Sequence, residues 1–339
     1  MNNVLLRQFG LDERTKAAAS TYDGLFLARV TEQQKDLYHV VSEDGFHMAK
    51  VTGKFMHQTT NPVDYPSVGD WVMVDGIGDC SMIHHVLPRK SIVERKSAGN
   101  TSMGQIVATN IDVQFICMSM NENYNIRRLE RYLSMAWSSG ATPCILLTKS
   151  DLTNDHARFL SQTESIAIGV DVIRCSEIEE NGYEDIMNYL QPGKTYAFIG
   201  SSGVGKSTIV NHLMLAEIMK TATTGSMDKG HHTTTARQLF LTPQGYVVID
   251  TPGMREIQLD SADFSLSFSD IEDLSHHCKF KDCTHHQEPK CAVKEAIDKG
   301  ELPIERLMNY FKMEKELKYQ ENRAKQAKIL AARWEKRQS

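Results

Sequence analysis

From Tyr22 to Ile92 apolar and polar residues alternate in short runs, at Leu25-Val30, Leu37-Val41, Phe46-Val51, Trp71-Val74 and Met82-Val86. Turn-forming clusters separate them, notably Ser42-Glu43-Asp44-Gly45 and Asp75-Gly76-Ile77-Gly78-Asp79. Two-residue alternation with no convincing helical stretch predicts about five β-strands, enough for a small all-β barrel of the oligonucleotide-binding (OB) type. Lys50, Lys54, Arg89, Lys90, Arg95 and Lys96 mark a basic rim on this unit, suited either to track a phosphate backbone or simply to meet solvent.

Beyond a Ser/Gly/Asn-rich connection, Ser97 to Thr101, apolar strands alternate with amphipathic helices. Val113-Ser119, Pro143-Leu147 and Val170-Arg174 read as strands, and Asn125-Ser138 and Tyr183-Leu190 as helices. A βαβα series predicts a parallel sheet covered on both faces, with ligands at the carboxyl ends of its strands. From Pro303 onward Leu307, Tyr310, Phe311, Glu314 and Leu317 follow helical spacing. Between Lys312 and Ser339 nine Lys/Arg stand against four Asp/Glu, which is either a solvated helix face or an arm for RNA phosphates. These textures divide the chain into an N-terminal extension (1–20), the barrel (21–96), an α/β domain (97–258) and a helical C-terminal domain (259–339).

The chemistry gathers at the strand ends. Tyr196-Ala197-Phe198-Ile199 runs into Gly200-Ser201-Ser202-Gly203-Val204-Gly205-Lys206-Ser207-Thr208 and then a helix. The glycines let the backbone wrap a phosphate, Lys206 reaches the β and γ phosphates, and the Ser207 hydroxyl binds Mg²⁺. Thr148-Lys149-Ser150-Asp151 ends another strand. The Asp151 carboxylate can accept from both N1–H and the exocyclic amine of guanine, a pairing adenine lacks, while the stem of Lys149 packs on the base. Together with the phosphate loop this selects GTP over ATP. Val247-Val248-Ile249-Asp250-Thr251-Pro252-Gly253 places Asp250 to hold Mg²⁺ through water and the Gly253 N–H to touch the γ-phosphate. Gly230-His231-His232-Thr233-Thr234-Thr235-Ala236-Arg237 is a polar loop from which Thr234 would complete the Mg²⁺ shell. The glutamine expected after Asp-x-x-Gly is replaced by Met254, which cannot orient water, so intrinsic turnover should be slow. His232 is the best substitute, a neutral imidazole able to hold water near the γ-phosphate.

In Ras-like proteins the phosphate loop precedes the base selector; here the selector at 148–151 comes first and Asp-x-x-Gly last. With this order, the barrel, His232-Thr233-Thr234-Thr235 and a C-terminal cysteine cluster, nearly the whole chain resembles the circularly permuted GTPases of the RsgA (YjeQ) family, which depend on the small ribosomal subunit. Two positions depart from that pattern: Thr148 stands where the family has Asn, and His231 where it has Arg. The cluster is Cys278, Cys283, His285 and Cys291, a Cys-x₄-Cys-x-His-x₅-Cys spacing whose soft donors suit tetrahedral metal. The resemblance implies structural Zn²⁺ at these four positions, catalysis involving His232, and late maturation of the small subunit with barrel and zinc module clasping its rRNA. His276, His277 and His286 read as surface histidines.

Bulk properties trim the alternatives. The chain has 339 residues, a net charge of -5 and seven cysteines, of which Cys117, Cys144 and Cys175 lie in apolar runs as buried thiols. The negative total argues against indiscriminate nucleic-acid binding. Met1 to Ser20 holds Asp12 and Glu13 and no long apolar stretch, so a cytoplasmic monomer with no membrane partner is expected, exchanging GTP and GDP. Two other classes remain: a nucleotide-gated rRNA scaffold in which hydrolysis is incidental, and a P-loop kinase for a small metabolite, which the guanine selector disfavours.

Overall fold

The alternating N-terminal strands close on themselves. The computed structural model describes residues 3–34, 37–76, 80–96, 104–215, 237–250, 268–280, 282–286, 288–304, 306–308, 310–311 and 314. Its barrel comprises β1 (Phe26–Gln34), β2 (Leu37–Ser42), β3 (Gly45–Val51), β4 (Trp71–Asp75) and β5 (Cys80–Val86). Pairing runs β1–β2–β3–β5–β4 and back to β1, antiparallel throughout except for the parallel β3–β5 pair. Because successive side chains alternate, Ala28, Val30, Val40, Ala49, Val72, Val74 and Ile83 fill the interior.

The sequence predicts no helix here, but α3 (Gly53–Gln58) follows β3, with the Thr52 hydroxyl accepting from Phe55 N at 3.0 Å. A parallel β3–β5 pair cannot be joined by a tight hairpin, so the intervening chain must cross over. Part of the expected basic rim is also corrected. Lys50 and Lys54 are exposed, but Arg89 makes a bidentate pair with buried Asp70 at 2.8 and 2.7 Å, and Lys90 pairs with Asp112 at 2.8 Å. These two cations serve internal contacts. The side chains of Arg95 and Lys96 lie outside the described residues.

Ahead of the barrel, α1 (Val4–Gln8) and α2 (Glu13–Ala19) form a short extension in which Asp12 caps α2 through Thr15 N at 2.7 Å. Leu6 packs with Trp71, Met73 and Leu87, while Phe9 enters the core of the next domain. After the barrel β6 (Ile92–Lys96) and β7 (Gly104–Thr109) form a hairpin around the stretch read as a plain connection.

The α/β domain has strands β8 (Val113–Ser119), β9 (Thr142–Thr148), β10 (Asp171–Arg174), β11 (Thr195–Ile199), β12 (Arg237–Leu241) and β13 (Val247–Asp250). Their order is β10-β9-β8-β11-β13-β12, parallel except that β12 runs against β13. Helices α4 (Ile126–Ser139) and α5 (His156–Glu164) cover one face, through Leu129, Leu133 and Phe159. Helices α6 (Glu184–Tyr189) and α7 (Lys206–Met214) cover the other, through Ile186, Ile209 and Leu213. β12 also pairs with barrel strand β1, so one 11-stranded sheet runs through both units.

At the C-terminal end α8 (Ser269–Ser275), α9 (Ala292–Asp298) and helical residues between 304 and 314 share a small core of Phe268, Ile271, Val293, Ala296, Leu302 and Leu307. Buried Arg306 joins it to the α/β domain, donating to Glu130 of α4 at 2.6 Å and to Asp270 at 2.9 and 3.0 Å, with its guanidinium over Phe268. Among the described residues no helix is long and apolar enough to cross a membrane.

Candidate nucleotide site and metal centre

The parallel strands deliver their carboxyl ends to one side of the sheet. Ser119 stands opposite Thr148, and Ile116 opposite Ile199, so the selector after β9 and the glycine-rich loop after β11 flank the end of β8. At Gly200, with φ +147°, a side chain would put its Cβ 2.4 Å from the Cys117 carbonyl, so only glycine lets the loop leave β11 there. Gly205, with φ +94°, turns the loop into α7, whose first turn has no side-chain cap. First-turn amides without a side-chain cap, backed by a helix dipole, are an arrangement suited to an anion. The Lys206 ammonium donates to the Gly200 and Ser201 carbonyls at 2.7 and 2.6 Å, which holds it across the loop's mouth.

Base selector and phosphate loop touch. The Thr148 hydroxyl donates to the Val204 carbonyl at 2.6 Å, so the residue that departs from the family's Asn bonds to the loop itself. Lys149 takes a left-handed φ of +56°, turning the chain so that Ser150 is buried and Asp151 exposed. Ser150 N donates to Cys175 O at 3.2 Å, and its hydroxyl donates to Glu179 at 3.1 Å. Arg174 donates to Nδ1 of His156 at 2.6 Å, which leaves Nε2–H to donate to the Ser150 carbonyl at 2.9 Å.

Several contributors escaped the sequence reading. The Ser176 hydroxyl donates to Asp151 Oδ1 at 2.5 Å, orienting the carboxylate. The only sequence signal for it is position: it lies just past β10, the strand beside β9. Asn123, in the loop after β8, donates to the Ser201 hydroxyl at 3.2 Å and is itself gripped by Arg128, which donates to its carbonyl and, at 2.9 Å, to its Oδ1. Beside the selector a cleft of about 980 Å³ is lined by Ser176, Glu179, Tyr183, Thr208, Asn211 and His212, among others. Beneath the site Cys117, Cys144 and Cys175 are buried, and burial pushes the first two thiols up to about 12. They are inert core groups.

Asp250 ends β13, next to the phosphate-loop strand, where Ala197 stands opposite Ile249. Its side chain, together with His231, His232, Thr234, Gly253 and Met254, lies outside the described residues.

In the C-terminal domain Cys278, Cys283, His285 and Cys291 place their ligand atoms within 4.8 Å of one another. Cys278 Sγ lies 3.9 Å from Cys291 Sγ and 3.7 Å from His285 Nδ1, and that nitrogen is 3.4 Å from Cys291 Sγ. A tetrahedron with Zn–S bonds of ~2.3 Å has edges of ~3.8 Å, so these separations fit one small ion. Burial lowers the His285 pKa, favouring the neutral ring that a metal needs. His286 stacks on Phe311 at 4.1 Å, and His277 bonds the Asp273 carbonyl; neither enters the cluster.

Comparison with known proteins follows the same lines. The family model described as RsgA GTPase matches residues 86–260. A protein of Lactiplantibacillus plantarum named small ribosomal subunit biogenesis GTPase RsgA 2 is 44% identical over 96% of this chain and 94% of its own. A protein of Methanosarcina acetivorans named small ribosomal subunit biogenesis GTPase RsgA is 42% identical over 93% of this chain and 86% of its own. The crystal structure of YjeQ from Thermotoga maritima superposes with a TM-score of 0.66 at 27% identity, covering 86% of this chain and 98% of that one. YloQ, described as a circularly permuted GTPase, shares the fold with a TM-score of 0.64 at 24% identity, over 87% of this chain and 96% of that one.

Proposed function

The chain belongs to the RsgA GTPase family, and from that premise we propose that it hydrolyses GTP to GDP and phosphate as a biogenesis factor of the small ribosomal subunit, with turnover stimulated by docking on that subunit. One observation carries the nucleotide half of this reading: the Thr148 hydroxyl on the Val204 carbonyl, which joins a guanine-type selector to a phosphate loop at 2.6 Å although 56 residues separate them.

Each part of the chain has a task in the reaction. Asp151, held by Ser176, pairs with guanine, and Lys149 lies along the base. Gly200 to Thr208 cradle the phosphates, and Lys206 neutralises charge that develops on the β–γ bridge oxygen. Ser207, Thr234 and Asp250 would hold Mg²⁺, which offsets phosphate charge when bound. His232 orients the attacking water, since Met254 cannot. The zinc cluster, with all four positions donated by protein, is structural rather than catalytic. The barrel and the zinc module, with the basic C-terminal segment as an added arm, contact rRNA, the protein works as a cytoplasmic monomer, and the units run 1–20, 21–96, 97–258 and 259–339.

Comparing GTP and ATP turnover with and without purified small subunits tests the whole. A GTP-only rate that rises strongly with subunits is expected. GTP binding without stimulated phosphate release would favour the scaffold reading. His232→Ala should keep GTP affinity and lose the stimulated rate; full stimulation in that variant would remove His232 from the reaction.

A further inference from the structure

Strand β12 belongs to two partners at once. On one side Gln238 stands opposite Asp250 of β13; on the other the same Gln238 stands opposite Glu32 of β1, and Arg237 opposite Gln33. Asp250, Gln238 and Glu32 therefore form one row across the sheet, with the proposed Mg²⁺ carboxylate at one end and the barrel at the other. In an antiparallel ladder each residue exchanges its main-chain hydrogen bonds with only one of its two neighbours, so Gln238 and the adjacent Arg237 bond to opposite flanks, and a shift of β13 reaches β1 through the β12 backbone that joins them.

β1 is built to receive that shift. Its residues 26–29 pair inside the barrel with β4, and its register with β2 breaks between Val30 and Glu32, a bulge of the sort that bends a strand. The Thr31 hydroxyl in this bulge bonds the His39 carbonyl at 3.1 Å. Just before it, Arg29 is buried and fixed to the α/β domain and its neighbours. It donates to Thr195 Oγ1 at 3.0 Å, Asn110 O at 3.3 Å, Gly69 O at 3.2 Å and the Phe9 carbonyl. At ~3.3 Å per residue, the segment paired with β12 begins ~10 Å along the strand from this pin. A pinned point and a driven end on one strand make a lever.

We propose that the nucleotide state is passed to the barrel as main-chain movement through β12 and β1, with Arg29 as the pivot. This rests on the reading of Asp250 as part of the GTP site. Coupling between two sites is reciprocal, so what the barrel binds must alter relative GTP and GDP affinity by the same factor.

Hydrogen exchange on the full chain alone, with GDP and with a non-hydrolysable GTP analogue, tests the coupling without ribosomes. The β1 amides should exchange at rates differing by about fivefold or more between the two states, alongside changes in β11 and β13. Proline placed in turn at Glu32 and Gln33 removes in one case an N–H facing β12, because alternate residues point to opposite neighbours. At least one variant should erase the barrel response and keep the response of β11 and β13. The milder double variant Glu32→Gly/Gln33→Gly should weaken the barrel response if either proline prevents folding. An unchanged barrel in the wild type, or a barrel response surviving these ladder variants, overturns the lever while leaving the GTPase reading intact. No nucleotide response in β11 or β13 either would overturn both.

Discussion

At the scale of single residues, the proposed recognition of guanine depends on a carboxylate that is held rather than merely present. Asp151 is exposed, and its orientation comes from the 2.5 Å bond donated by Ser176. Hydrogen bonds to a charged group contribute ~1.5–3 kcal/mol, so Asp151→Asn should weaken GTP binding by about 10- to 150-fold. The amide now offers a donor where guanine also offers one, whereas xanthine offers a carbonyl, so the variant should gain affinity for xanthosine triphosphate. Titration with both nucleotides checks this. Ser176→Ala leaves the carboxylate in place but unsteadied, and a loss of about 1 kcal/mol, some fivefold, is expected for both GTP and GDP. Thr148→Val removes only the hydroxyl that meets Val204; it should lower affinity by a similar amount, and Thr148→Asn should restore it. If Thr148→Val binds GTP like the wild type, the contact is not part of recognition. The glycines, Lys206 and Asp151 were legible in the sequence because their chemistry is local to a short motif. Ser176 and Asn123 were not, since each matters only through a partner that the fold brings from 25 or 78 residues away.

At the scale of elements, alternation exposed the barrel strands and the helix period exposed α4 and α6, because those elements bury one face each. What escaped were elements whose stability comes from elsewhere. α3 spans six residues and has no buried side chain; its visible cue is the Thr52 cap. α1 fully buries only Leu6, with Leu5 half-buried beside it, and β12 begins at Arg237, the last residue of the stretch read as a polar loop. The hairpin of β6 and β7 was hidden by the Ser/Gly/Asn run between its strands. The C-terminal module illustrates the same dependence. Its core is small, so a bound metal would supply much of its folding energy. A strong chelator, or Cys283→Ser, should melt α8 and α9 while the barrel keeps its exchange protection. Metal content measured alongside circular dichroism checks it, and a module that stays folded without metal would refute a structural ion. Arg306 joins this module to α4. Arg306→Leu removes the cation that faces Glu130 and Asp270, a loss of ~3–5 kcal/mol for a broken buried pair, and should free the module to move, which limited proteolysis would reveal.

At the scale of the molecule, the shuffled order of motifs still brings the ends of β8, β9, β11 and β13 to one side, because a sheet fixes where strands end and is indifferent to how they are connected. Permutation changes what is attached. Here the chain leaving β13 leads directly to the C-terminal module, and β12 lies against the barrel. Arg29 is the common fastening, and burial pulls its pKa down to about 10, a measure of how strongly the site strips it of water. Arg29→Met keeps the stem near Trp71 but removes the donor from the Thr195 hydroxyl and the Asn110 and Phe9 carbonyls, while the Gly69 carbonyl keeps the Asn110 amide. A loss of about 3 kcal/mol or more is expected, read as a lower Tm followed by tryptophan fluorescence. The sheet shared by β1 and β12 also bears on how this protein can be divided. Cutting between barrel and nucleotide domain would bare the backbone of Glu32 and Gln33 on one side and of Arg237 and Gln238 on the other, extending two strand edges able to template a foreign strand. The separated halves should therefore clump or find one another again, and modular as its motifs look, this chain is poorly suited to being studied in pieces.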